Sequence, residues 1–108
     1  VVERVSRDVN EALGRVVAER REEHGLTQRE LWTAADMPKN SYVRLEKNQR
    51  DWTVNTLAHV AGILGASGSE LLAEAEERAE REAREAAERE RRARREDGGP
   101  WIAALSGD

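Results

Sequence analysis

From Gly25 to Leu31 the chain reads Gly-Leu-Thr-Gln-Arg-Glu-Leu. Thr27 followed three residues later by Glu30 is a capping box. The threonine oxygen takes the Glu30 backbone N–H, and the glutamate reaches back to the N–H of Thr27. A short helix therefore opens there and runs to about Ala35. Upstream, His24-Gly25 closes a first helix in the usual glycine manner. That helix is expected from about Asp8, with Ser6 or Asp8 as cap and Val9, Leu13, Val16 and Val17 on one face. Downstream, Asp36-Met37-Pro38 turns the chain, and Pro38 suits the first turn of a third helix ending near Lys47. After a polar loop at 48–52, Thr53 caps a fourth helix carrying Val54, Leu57, Val60, Ala61 and Leu64, and Gly65 closes it. Ser67-Gly68-Ser69-Glu70 repeats the capping-box pattern and opens a fifth helix. No segment alternates as a strand does. Short helices joined by turns of three or four residues make an orthogonal, all-α bundle.

With Arg21 ahead of it, Leu45-Glu46-Lys47-Asn48 beyond it, and then Thr56-Leu57, Ala61 and Leu64-Gly65, this stretch resembles the lambda-repressor-like (Cro and XRE-type) helix-turn-helix family. The resemblance covers about half the chain, with its elements in order and at the right distances. It implies a five-helix DNA-binding head whose third helix enters the major groove. It also implies that Glu46 is the internal ion-pair partner of Arg21. Gln28, at the start of the second helix, is implied to touch a DNA phosphate. Three positions depart from the pattern. Trp32 stands where the family has a small alanine between helices two and three, Asp36 replaces a turn glycine, and Pro38 replaces a capping Ser/Thr. A shifted second helix or an altered docking angle is expected, with Asp36 accepting left-handed backbone better than most residues.

The helical period agrees with that reading. Met37, Tyr42 and Leu45 fall on the inward side of the third helix, while Lys39, Asn40, Val43, Arg44 and Lys47 share one outward face. Arg pairs with guanine O6/N7, Asn with adenine N6/N7, and an aliphatic side chain meets a thymine methyl. Lys39, Asn40, Val43 and Arg44 are therefore the expected base readers. Ser41, Lys47, Asn48 and Arg50 join Gln28 as expected phosphate contacts. Residues 38–50 hold four basic groups and one acid, a local +3 in a chain whose 18 Lys+Arg and 22 Asp+Glu leave it at −4. A basic face on an acidic protein is the footprint of a nucleic-acid reader. Trp52 is expected to pack under the fourth helix.

Composition removes other classes. The chain has no Cys and only two His, His24 and His59, which excludes disulfides, thiolate catalysis and cysteine- or histidine-rich metal sites. No nucleophile–base pair, phosphate-cradling glycine loop or carboxylate constellation stands out, so no enzyme, cofactor or small-molecule ligand is expected. The longest apolar run, near Val60–Ala66, falls far short of the ~20 residues of a membrane helix, and no signal peptide is visible. A cytoplasmic location follows as the expectation.

Beyond Glu70-Leu71-Leu72 the sequence becomes almost pure Glu, Arg and Ala as far as Asp97, and Gly98-Gly99-Pro100 ends the run. Three parts are expected: a helix-turn-helix domain at 1–66, a long charged helix at 67–97 and a short apolar tail at 98–108. Six Glu→Arg pairs spaced i,i+4 (74/78, 77/81, 80/84, 85/89, 88/92 and 90/94) would each add ~0.2–0.5 kcal/mol to an isolated helix. Leu72, Ala79, Ala86 and Ala93 recur every seven residues. Glu82, Arg89 and Glu96 at the intervening positions defeat a leucine-type coiled coil but leave room for an Ala-lined pair. Homodimerisation is expected through this helix and the tail, with Leu71, Leu72, Trp101, Ile102 and Leu105 carrying it. A chain trimmed after Gly65 is accordingly expected to remain a folded or nearly folded monomer.

The resulting expectation is a sequence-specific regulator that binds a double-stranded DNA operator, a repressor of the phage-immunity or lysogeny type that occludes a promoter. An antitoxin, a host regulator with the same head, and a protein-interaction scaffold with a degenerate motif are the alternatives.

Overall fold

The structure is a computed structural model that describes residues 2–96, with side chains from Asp8 onward. Trp101, Ile102 and Leu105 lie outside the described residues. Five α-helices follow one another: α1 (Val2–Glu23), α2 (Gln28–Ala34), α3 (Lys39–Glu46), α4 (Val54–Ile63) and α5 (Gly68–Glu96). Among the described residues none of these helices is long and apolar enough to cross a membrane.

α1 starts ahead of the expected Ser6 or Asp8 cap. Residues 2–8 contain neither Gly nor Pro, so nothing stops the helix from extending toward the N-terminus. Its C-terminal end has the expected glycine stop. Gly25 sits at φ 70°, and the N–H groups of Leu26 and Gly25 reach back to the carbonyls of Arg21 and Glu22 at 3.0 and 2.9 Å. The Thr27 box is complete in both directions, at 3.0 and 2.9 Å. The Thr27 backbone N–H, donating to the carboxylate, and the Thr27 side chain beside it hold the Glu30 carboxyl below its ordinary value. Pro38 occupies the cap position of α3 without a side-chain hydrogen bond, one place earlier than expected. Thr53 caps α4 through the N–H of Thr56 at 3.2 Å.

The core joins α1, α2, α3, α4 and the first turns of α5. Val16, Val17, Leu31, Tyr42, Val60 and Leu71 are fully buried in it. Ala75 is also fully buried, and Ala79 packs against the same cluster. The head therefore does not end at residue 66. Leu71 corrects one expected dimer contact: it is 0% exposed inside its own head and offers nothing to a partner. Its register explains this, because Leu71 and Ala75 are one turn apart and face the core together. Leu72, one residue on, is left 37% exposed.

α1 and α5 run antiparallel and are tied by three ion pairs: Arg20–Glu74 at 2.8 Å, Glu19–Arg78 at 2.6 Å and Arg15–Glu82 at 2.8 Å. The Arg78 guanidinium holds the Glu19 carboxyl below its ordinary value. Glu74 and Arg78 thus reach across to α1 rather than to each other. Of the six expected i,i+4 pairs, only 88/92 and 90/94 are in contact among the described residues, at 3.4 and 2.8 Å, both on the exposed stretch of α5.

Candidate nucleic-acid interface

The outward face of α3 is built by what holds its inward face. Tyr42 and Leu45 are buried beneath the helix, and Met37 is half-buried at its entry. Lys39, Asn40, Arg44 and Lys47 consequently stand exposed on the opposite side, with Val43 half-buried among them and Ser41 half-buried on the flank. Asn48 and Arg50, just past the helix, are exposed as well. α2 and α3 are joined by Ala35–Pro38, where Asp36 adopts left-handed backbone at φ 53°. Met37 and Asp36 close α2 by donating to the carbonyls of Trp32 and Thr33 at 2.9 and 3.1 Å. The Trp32 indole is half-buried against the edge of the core.

Behind the face lies a polar knot. The Arg21 Nε donates to Glu46 Oε2 at 2.9 Å, and its NH1 donates to the carbonyl of Leu26 at 2.7 Å. Gln28 donates its side-chain amide to Glu46 Oε1 at 2.9 Å, and the Tyr42 hydroxyl donates to Glu46 Oε2. One carboxylate thus ties α1, α2 and α3 together. Burial opposes charging of Arg21, but the hydrogen bond and charge of Glu46 outweigh it and hold the guanidinium above its ordinary value. Burial, with Glu46 alongside, pushes the Tyr42 phenol well up. Gln28, expected to face a phosphate, spends one amide hydrogen on this knot, which fixes the side chain at the N-terminal end of α2.

Two further residues position the face, and the sequence reading did not single them out. The Asn10 amide on α1 donates to Asn48 Oδ1 at 2.8 Å and to the carbonyl of Arg50 at 3.1 Å, and its oxygen accepts the Trp52 N–H at 2.9 Å. One side chain thereby pins the whole loop from Asn48 to Trp52. Trp52 itself packs half-buried against the core and lines a groove with Val9, Leu13 and Leu57, between α1 and α4. Gly14 is the second such residue. A Cβ there would stand 2.7 Å from the Leu45 carbonyl oxygen and 3.0 Å from that of Glu46, so only glycine lets α1 touch the end of α3. A glycine inside a helical pattern was the available signal for Gly14. Asn10 offered none.

An α2–turn–α3 unit, buttressed by α1 and α4 and presenting Lys and Arg on the outer side of its second helix, defines a helix-turn-helix DNA-binding module. The chain belongs to that family: a helix-turn-helix model of the Cro/C1 (XRE) type matches residues 17–71. Two crystal structures of the clp gene regulator ClgR from Corynebacterium glutamicum are similar to it. One gives a TM-score of 0.69 at 31% identity, covering 80% of this chain and 89% of that one. The other gives 0.59 at 34% identity, covering 62% and 86%. No curated protein matches the chain. Family and neighbours together make this a DNA-binding transcriptional regulator.

Proposed function

We propose that the chain is a sequence-specific regulator that binds double-stranded operator DNA as a homodimer, with Lys39, Asn40, Val43 and Arg44 reading base edges. Gln28, Ser41, Lys47, Asn48 and Arg50 hold the flanking phosphates, and the work is done in the cytoplasm. The observation that carries this reading is the exposed basic side of α3, seated on a knot of buried hydrogen bonds that fixes its orientation. A recognition helix needs such a seat, because base-edge hydrogen bonds discriminate only when the donors are held in register. A single head reads few base pairs, and two heads on an inverted repeat multiply the discrimination.

The likeness to ClgR, a clp gene regulator, favours a regulator of host genes over a phage-immunity repressor, and it makes clp promoters the first DNA to try. Repression by occluding a promoter requires no more than tight binding and remains the simplest action. The test is a gel shift on DNA upstream of the chain's own gene and of clp genes, with unrelated DNA as competitor. Specific binding that a Lys39/Asn40/Arg44 triple alanine abolishes supports the reading. Equal binding to every fragment overturns it in favour of a protein-interaction scaffold with a degenerate motif.

A further inference from the structure

Past the ion pair to Arg15, every residue of α5 from Ala83 to Glu96 is exposed. Between α5 and α1 runs a groove of about 590 Å³, floored by Ala79, Ala83, Ala86 and Ala87 and edged by Asp8 and Glu11. A floor of methyl groups lets a second helix approach closely, since interaxial distance is set by the side chains at the contact. The flanking charge is ordered along the helix. Residues 74–82 hold five Glu against Arg78 and Arg81, whereas residues 89–95 hold five Arg against Glu90. Glu82 of the acidic segment borders the groove beside Arg15, and the groove ends at Arg89 and Glu90, where the basic segment begins. Among the described residues Arg89, Arg91 and Arg95 make no ion pair.

We infer that this groove receives the basic end of α5 from a second copy, so that two fifth helices pair antiparallel about a point near residues 85–86. The inference rests on the homodimer proposed above and adds its orientation, register and contact surface. Antiparallel pairing about that point sets Glu76 opposite Arg94 of the second copy and Glu80 opposite its Arg91. It also sets Ala79 opposite Ala93 and Ala83 opposite Ala87. Each match occurs twice by the twofold symmetry of the pair. A parallel pair would instead lay each acidic segment on its own equivalent and each basic segment likewise, and like charges repel. The same register separates the heads. Packed on α5 from Leu71 to Glu82, they are centred roughly 30 Å apart at 1.5 Å per residue. That is close to the ~34 Å between half-sites one helical turn apart.

The chain has no cysteine, so single cysteines report without background. The full chain carrying Ala79→Cys, the full chain carrying Ala93→Cys, and an equimolar mixture of the two are each treated with a short bis-maleimide. In the antiparallel register each cysteine is about 21 Å along the helix from its own equivalent but beside the other position in the second copy. The expected result is a covalent dimer from the mixture and none from either variant alone. Cross-linking of each variant by itself shows a parallel pair, and a dimer in sedimentation with no cross-link in any arm shows an interface elsewhere. Both results overturn the inference and leave the homodimer standing. A chain that sediments as a monomer at tens of micromolar overturns the homodimer and the inference together. A Glu76→Arg/Glu80→Arg variant adds a charge test. Alone it is expected to lose self-association, and mixing it with an Arg91→Glu/Arg94→Glu variant is expected to restore it. Retained association in the first variant counts against the charge matching.

Discussion

Glu46 accepts hydrogen bonds from Arg21, Gln28 and Tyr42, and an apolar residue in its place leaves the buried Arg21 guanidinium with only the exposed Glu22 carboxylate at 3.7 Å and the Leu26 carbonyl. Removing one partner of a buried ion pair costs about 3–5 kcal/mol. Glu46→Ala is therefore expected to lower the urea midpoint by most of a small domain's stability margin. Tyr42→Phe, which deletes one hydroxyl and keeps the packing, is expected to cost only about 1 kcal/mol. Equal costs in the two denaturation curves would contradict the assignment of Glu46 as the centre of the knot. Gly14→Ala ordinarily improves a helix, yet here the added methyl meets the Leu45 and Glu46 carbonyls. Thermal melts are expected to show a loss of about 1–3 kcal/mol rather than a gain. The Arg21–Glu46 pair was legible through the family resemblance. Tyr42 read only as an inward-facing core residue, although the carboxylate it serves lies one helical turn on, and Asn10 was not legible at all, because a hydrogen bond between residues far apart in sequence leaves no periodic trace. Asn10 and Asn48 are separated by 38 positions, and nothing at either end announces the other.

Helix identity was legible because its signals are local. Thr27/Glu30 and Thr53 mark starts, and four helices end in the same way, on left-handed residues at Gly25, Asp36, Asn48 and Gly65. Two of those ends are glycines that the sequence reading used, Asp36 it allowed, and Asn48 it placed only in a polar loop. Position along the fifth helix was less legible. Leu71 and Leu72 read alike as an apolar pair at the start of a charged run, and only packing decides that Leu71 turns inward. The consequence reverses the expectation for a shortened chain. Cutting after Gly65 strips Leu71 and Ala75 from the core, and the loss of a buried leucine side chain alone costs about 2–5 kcal/mol. The truncated chain is expected to give a weak, non-cooperative far-ultraviolet melt, whereas a chain cut after Arg84 should melt cooperatively. A cooperative melt for the shorter piece would return α5 to the status of an appendage.

At the scale of the whole molecule, charge is sorted. A chain of net −4 concentrates a local +3 at residues 38–50, so DNA meets an attractive face on a repulsive body. On the proposed function, orientation as well as affinity would come from electrostatics, and the buried knot would supply the rigidity that turns orientation into sequence preference. This division of labour assigns different work to two neighbouring cations. Arg44, on the reading face, should matter for one base position, and Lys47, at the helix end, for phosphate alone. Fluorescence-anisotropy titrations on a preferred operator and on scrambled DNA, at two salt concentrations, test the claim directly. Arg44→Ala is expected to lose about 1–3 kcal/mol on the operator and little on scrambled DNA. Lys47→Ala is expected to weaken both alike and to lower the salt slope by about one unit. If both variants weaken both DNAs equally, α3 does not read sequence, and the account of this face is wrong.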